Sequence, residues 1–236
     1  MCSEMKDKLN KIHNIDCLEF MKQVPDKYFD LVLTDPPYDI SKSPAGKSEY
    51  MSLQKFTSVG DLADISDGFD VDLVLNECLR ILKKCNMFVF CSNKQVSKIM
   101  QWGESLGFYT TCLVWHKNNS APFANGVWRG DIEFCIHIRE KGAYFEGDAS
   151  IKQKVTKLPA SPSEFGHPTE KPIRLVDKYL RIGATQGHKV FDPFMGSGTT
   201  AVACKSLGID FVGCELDADY VVIANKRLEA VQGSLF

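Results

Sequence analysis

The sequence predicts an α/β fold built on a mostly parallel sheet, and three observations carry that reading. Strand-sized apolar runs alternate with helix-periodic segments along the chain. The runs Phe29 to Thr34 and Met87 to Cys91 are continuously apolar rather than alternating, as expected of strands covered on both faces. Two strand exits, Asp35-Pro36-Pro37-Tyr38 and Asp192-Pro193-Phe194-Met195-Gly196-Ser197-Gly198, end in turns of special chemistry, where open α/β sheets bind ligands.

The elements follow in order. Ile12 to Ile15 reads as a short strand, and Leu18 to Gln23 as a helix. Phe29 to Thr34 is a strand that must leave the sheet at Asp35, because two prolines cannot continue a ladder. The polar segment Asp39 to Asp70 is long enough to be a mobile loop with a functional role. Val71 to Lys84 carries Leu73, Val74, Leu75, Leu79 and Leu82 at helical spacing. Met87 to Cys91 is a strand, and Ser92 or Asn93 opens a helix running to about Leu106. Phe108 to His116 and Ile132 to Ile138 read as antiparallel partners across the loop Asn118 to Gly130, and Ala143 to Gly166 as an irregular insertion. Thr169 is expected to cap a helix to Arg181. A strand ends at Val190-Phe191, then come a helix from Gly198 to Leu207, a strand from Phe211 to Cys214, and a helix from Asp217 to Val231. That makes seven strands with an antiparallel hairpin at one edge, in one domain spanning residues 1–236.

Composition narrows the function. The 236 residues are 44% hydrophobic and 25% charged, which excludes disordered and fibrous classes. No apolar run approaches the ~18 residues of a membrane span, and Met1 to Lys8 is polar, so a cytoplasmic protein is expected. The nine cysteines are odd in number, lie mostly in apolar runs and form no Cys-x-x-Cys, so reduced buried thiols are expected and neither a disulfide framework nor a metal site. The net charge of −2 advertises no nucleic-acid partner, but Arg139 to Lys157 is locally basic, which fits a solvated face or a phosphate-contacting patch.

The glycine turn points to a nucleoside cofactor. Gly196 and Gly198 allow close backbone approach, and the helix that follows offers unpaired amides. Glu215 ends the next strand, seventeen residues past Gly198, placed to accept from ribose hydroxyls. The turn lacks the lysine of a phosphate loop, so nucleotide hydrolysis is not expected.

The Asp35-Pro36-Pro37-Tyr38 turn suits the methylation of an exocyclic amine on an aromatic base. Such a nitrogen delocalises its lone pair into the ring. Two acceptors, the Asp35 carboxylate and the Pro36 carbonyl, would bind its hydrogens and draw it toward tetrahedral geometry, with Tyr38 as a stacking plane. A plain rigid strand exit is the structural alternative.

Both turns occur in one chain, catalytic turn first, with His167-Pro168-Thr169-Glu170-Lys171-Pro172 between them. Val114-Trp115-His116-Lys117-Asn118-Asn119 and Phe211 to Tyr220 complete the pattern. The chain resembles the β-class DNA amino-methyltransferases, whose motifs are circularly permuted in this order. The resemblance implies a Rossmann-like methyltransferase fold, S-adenosylmethionine as cofactor and double-stranded DNA as partner. It implies that Asp35, Pro36, Pro37 and Tyr38 form the catalytic motif. Cofactor contacts carried over by it are Asp16 and Cys17 at the adenine, Thr169 and Lys171 near the methionine carboxylate, Asp35, Asp192, Pro193, Phe194, Gly196, Ser197, Gly198 and Thr199 in the turns, and Glu215 with Leu216 at the ribose. Residues 118–166 would be a short target-recognition insertion, and residues 39–70 a loop facing DNA. Lys117, Asn118, Asn119, Trp128, Arg129, Arg139 and Lys141 are the candidate DNA contacts, by phosphate pairing, base-edge contact or an aromatic wedge. Dimerisation is common in this class, and a cognate restriction endonuclease is a further partner it suggests.

Asp-Pro-Pro-Tyr leans to adenine N6; cytosine N4 is the close alternative, since the amine chemistry is the same. Ring-carbon methylation needs a cysteine that typically follows proline, and no cysteine here does. RNA, protein or small-molecule methyltransferases usually place the cofactor turn first. A silent cofactor- and DNA-binding module would be expected to show a damaged catalytic turn, and Asp35 to Tyr38 is intact.

Overall fold

A computed structural model describes residues 5–37, 70–120, 128–160 and 170–231. Eight strands form one sheet: β1 (Lys11–Asn14), β2 (Leu31–Thr34), β3 (Asn86–Cys91), β4 (Tyr109–His116), β5 (Ile132–Arg139), β6 (Val155–Lys157), β7 (Lys189–Asp192) and β8 (Asp210–Glu215). Their spatial order is β1-β8-β7-β2-β3-β5-β4-β6. All neighbours are parallel except β3–β5 and β5–β4. The expected hairpin of β4 and β5 is present, with Trp115 opposite Glu133. The strand count is eight rather than seven, because β6 forms inside the segment expected to be irregular and covers the edge of β4. Its three residues have no buried face and carry no apolar pattern; pairing with Val114 to His116 makes the strand.

Among the described residues six helices cover the sheet: α1 (Cys17–Met21), α2 (Val71–Ile81), α3 (Val96–Ser105), α4 (Ile173–Gly183), α5 (Thr199–Leu207) and α6 (Ala218–Ala230). Asp16, Asp70 and Asp217 cap α1, α2 and α6 with side-chain oxygens that accept from the first-turn amides. Ser92, expected to open α3, instead closes a turn before it: the Gln95 side chain accepts from the Ser92 amide and hydroxyl, and α3 starts at Val96. The N-cap of α4 is Pro172, not Thr169. Proline fixes its own φ, here −57°, and disfavours helix at the residue before it, so no helix runs through Lys171. Thr169 lies outside the described residues, as do Tyr38, His167, Pro168 and the 39–69 part of the expected loop.

The continuous strands divide their side chains between two cores. Val32, Met87 and Val89 pack with Phe20, Phe29 and Ile81 beneath α1 and α2. Leu31, Leu33, Phe88 and Phe90 pack with Leu175, Tyr179 and Leu180 of α4 on the other face. β2 and β3 are buried on both sides, as their composition requires. Among the described residues, no helix is long and apolar enough to cross a membrane, and no cluster of His, Cys, Asp or Glu is arranged to hold a metal.

Candidate functional site

β2 and β7 are parallel neighbours, with Leu31 opposite Val190 and Val32 opposite Phe191. Carrying that register forward sets Asp35 beside Phe194. The two turns singled out in the sequence, far apart along the chain, therefore leave the same edge of the sheet side by side. β8 and β1 continue that edge and bring Glu215 and Asp16 to it, since Asn14 pairs with Glu215.

The glycine turn is held tightly. The Met195 amide donates to the Cys214 carbonyl at 2.8 Å, and the Gly198 amide to the Met195 carbonyl at 3.0 Å. Gly198 caps α5 at φ +88°, a conformation that favours glycine, and a Cβ there would sit 2.7 Å from the Cβ of buried Ala224. Glu215 spans the turn: one carboxylate oxygen accepts from the Gly196 amide at 2.8 Å, the other from the Asp217 amide at 2.9 Å. Ser197 and Thr199 are buried, Phe194 is half-buried, and Leu216 is exposed.

Arg227 of α6 donates to the Ser197 carbonyl at 2.7 Å and hydroxyl at 2.8 Å and pairs with Glu170 at 2.5 Å. Glu170 and Arg227 are both buried, so this ion pair fastens the segment before α4 to the glycine turn. Neither role is visible in the sequence, where Glu170 is a motif letter and Arg227 one cation of a helix.

Asp192 is buried, accepts from the Phe194 amide at 3.1 Å, and faces the Thr200 hydroxyl. Burial pushes its carboxyl up to about 7 against those hydrogen bonds, with the Asp35 charge adding to the rise. Asp16 has one oxygen committed to capping α1 through the Leu18 and Glu19 amides; its other oxygen has no partner among the described residues. Cys17 is buried beside it, and burial, then the Asp16 charge, pushes its thiol up to about 12.

Lys171 is the largest surprise. A lysine in a polar motif reads most simply as a surface residue, yet this one is only 6% exposed. Its Nζ lies 2.5 Å from Asp35 Oδ2 and 3.1 Å from Glu133 Oε2, and stands over the Phe90 ring at 5.1 Å. Burial opposes its charge, but the Asp35 and Glu133 carboxylates outweigh burial and raise its pKa. Glu133, on β5, also binds Lys117 at 2.6 Å; burial works against its ionisation, and the two lysines hold it below the usual carboxylate range. Glu133 escaped the sequence reading, although a charge inside Ile132-Glu133-Phe134-Cys135-Ile136 is the kind of buried charge that must be paired.

The candidate DNA contacts separate into two groups. Lys117, Asn118 and Asn119 follow β4 at the Asp35 edge; Asn119 exchanges hydrogen bonds with Ala160, and Arg129 donates to Ser120. Trp128 is 95% exposed. Arg139 and Lys141 do not belong with them: Arg139 pairs with Asn86 and Tyr109, the first residues of β3 and β4, at the opposite edge. β5 runs antiparallel to β3, so its two ends cannot serve one edge, and the Arg139 guanidinium packs on the Tyr109 and Phe145 rings.

Comparison with known proteins agrees with this geometry. Residues 29–226 match the N6/N4 family model described as DNA methylase. The chain belongs to the N6/N4 DNA methylase family. It is 28% identical to the Type II methyltransferase M.HinfI of Haemophilus influenzae, over 98% of this chain and 72% of that protein. It is 27% identical to the Type II methyltransferase M1.MboII of Moraxella bovis, over 95% and 98%. Among solved structures, an M1.HpyAVI–SAM complex aligns with a TM-score of 0.69 at 27% identity, covering 92% of this chain and 99% of that one. A cytosine-N4-specific PvuII DNA methyltransferase shares the fold alone, with a TM-score of 0.69 at 17% identity over 95% and 87%. In this DNA methylase the turn that begins at Asp35 and the glycine turn thus follow neighbouring strands.

Proposed function

We propose that this DNA methylase transfers a methyl group from S-adenosylmethionine to the 6-amino group of an adenine extruded from duplex DNA. The observation that supports it is the adjacency of Asp35 and the Phe194–Gly198 turn at one sheet edge. The SAM complex of M1.HpyAVI supports the choice of cofactor. The residues here fit such a group: a glycine turn whose Gly196 amide is held by the Glu215 carboxylate, and a further acidic residue, Asp16, after β1 with one oxygen free of the described residues. When bound, the cofactor supplies an electrophilic methyl on a positively charged sulfur.

The protein's share of the chemistry is positioning and charge. Asp35 and the Pro36 carbonyl accept the hydrogens of the base amine and turn its lone pair outward, and Pro36 and Pro37 keep both acceptors in place. Glu215 keeps lone pairs for ribose hydroxyls while holding the Gly196 amide, and the second oxygen of Asp16 suits an amino group. Tyr38 would supply the stacking plane, Cys17, Asp192, Pro193, Phe194, Ser197, Thr199 and Leu216 would shape the pocket, and Thr169 and Lys171 are the residues proposed for the methionine end. Lys117, Asn118, Asn119, Trp128 and Arg129 are the contacts proposed for DNA. A restriction-modification setting in the cytoplasm is part of the same proposal, and likeness to Type II methyltransferases supports it.

The fold does not separate adenine from cytosine, because a cytosine-N4 enzyme aligns equally well; Asp-Pro-Pro-Tyr favours adenine. Expression in a methylation-free host, followed by single-molecule sequencing, tests this. N6-methyladenine at one fixed sequence is the expected result. N4-methylcytosine would replace the base assignment, and unmodified DNA would refute the activity.

A further inference from the structure

Four charges alternate from the end of β4 across β5 to the end of β2: Lys117, Glu133, Lys171 and Asp35. Their sum is zero, and all the contacts between them are 2.5 to 3.1 Å. Glu133 has 17% side-chain exposure and, among the described residues, is linked to Asp35 through Lys171. A buried carboxylate in an apolar strand is costly unless paired, and a mere structural role would be met by an apolar residue.

We propose that Glu133 is a positioning residue for methyl transfer, holding Lys171 between two carboxylates and keeping the cluster around Asp35 neutral. The inference rests on the amine-transfer reading above. In that reaction the amine nitrogen bonds to the methyl carbon, and the carbon–sulfur bond breaks with its electron pair left on sulfur. The nitrogen then carries the positive charge until it passes a proton to the Asp35 carboxylate that binds it, and from there to solvent. That charge develops beside Asp35. With Glu133 present, the neighbouring charges cancel and Asp35 keeps its acceptor strength. Without it, Lys171 is left to Asp35 among the carboxylates of this cluster, and the cluster gains a net positive charge where the nitrogen becomes cationic. Lys171 is faced by Asp35 from the end of β2, by Glu133 and Cys135 from β5, by the Phe90 ring from β3, and at one remove by Lys117 from the end of β4.

The test uses Glu133→Gln in the full chain. At saturating cofactor and DNA, kcat should fall roughly 10- to 100-fold, the order expected for losing one unit charge a few ångströms from the reacting nitrogen at an effective dielectric near 20. KM for the cofactor should stay within about threefold. In protein labelled with 13C at lysine Cε, the Lys171 resonance should stay ammonium-like to pH 10 in the wild type and titrate at lower pH in the variant. Glu133→Asp, which restores the charge, should recover most of kcat and the titration. If Gln is not tolerated by the fold, Glu133→Leu suits the strand and carries the same expectations. A folded variant with wild-type kcat and wild-type Lys171 titration overturns the proposal. Wild-type protein that methylates no DNA sinks the amine-transfer reading instead, and the titration still decides whether Glu133 holds that ammonium.

Discussion

Replacing Gly198 by alanine tests the architecture of the glycine turn directly. Gly198 sits at φ +88°, and its added Cβ would lie 2.7 Å from Ala224 Cβ and 3.0 Å from Ala224 Cα. Ala224 is fully buried within α6, so relief requires moving a helix rather than a side-chain tip. The left-handed backbone costs an L-residue about 1–2 kcal/mol, and overpacking adds about 1–3 kcal/mol. The total is about 2–5 kcal/mol, which for a chain of this size is a fall in Tm of about 5–15 °C. Gly187→Ala is the control, because φ there is +84° with no atom within 4 Å of the added Cβ. It should lose about 2–6 °C, from backbone strain alone. Scanning calorimetry of both variants separates the two contributions. Equal losses in the two would refute the close packing of the turn on α6.

Asp35→Ala should reduce methyl transfer to DNA by at least about 100-fold while cofactor affinity by calorimetry stays within about threefold. Glu215→Ala removes the acceptor of the Gly196 and Asp217 amides, and cofactor binding should weaken about 10- to 100-fold. Arg227→Ala breaks a buried pair with Glu170 and two bonds to Ser197, and urea denaturation should show a loss of about 3–5 kcal/mol. Asp192 has its carboxyl raised to about 7 by burial. Its contribution to stability is therefore complete below the unfolded carboxylate value near 4, and is lost as pH rises through about 7. Asp192→Asn, which keeps an acceptor for the Phe194 amide, should be more stable than the wild type at pH 8 and gain nothing at pH 4, as read from urea midpoints.

Much of the fold was written in local pattern. Phe29 to Thr34 and Met87 to Cys91 have only one way to bury both faces, and the prolines after Asp35 end β2 where expected. β6 had no such signal: its burial alternates without a buried residue, and it is held by pairing and by Lys178, which donates to Gln153 and Thr156. The two turns were readable because glycine, proline and carboxylate at strand ends have few other uses. Glu133, Glu170 and Arg227 were not, and Lys171 was singled out by resemblance alone and for another partner, because their meaning lies in partners elsewhere in the chain; Lys171 meets Asp35 across 136 positions. The grouping of Arg139 and Lys141 with Lys117 failed for a related reason. A basic stretch in sequence becomes two opposite edges once β5 reverses direction.

The order of the motifs along the chain is irrelevant to the site that they build, and the sheet shows why. β2, early in the chain, pairs with β7, late in it, and β1 pairs with β8, so the first and last parts of the chain interleave across one edge. Any connectivity that keeps β7 beside β2 sets Asp35 next to Phe194, and any that keeps β8 beside β7 sets Glu215 at Gly196. The burden of assembly then falls on long-range contacts. The Asp35–Lys171–Glu133 cluster joins the end of β2, the entrance of α4 and the start of β5, while Glu170–Arg227 joins that same entrance to α6 and the glycine turn. Ion pairs on the consecutive residues Glu170 and Lys171 thus pull the same short segment toward Asp35 on one side and the glycine turn on the other. Pro172 fixes the backbone immediately after them and keeps this segment out of the helix. A site assembled this way forms only when the whole sheet has formed, which is why its charges can be buried: each is buried together with the partner that neutralises it.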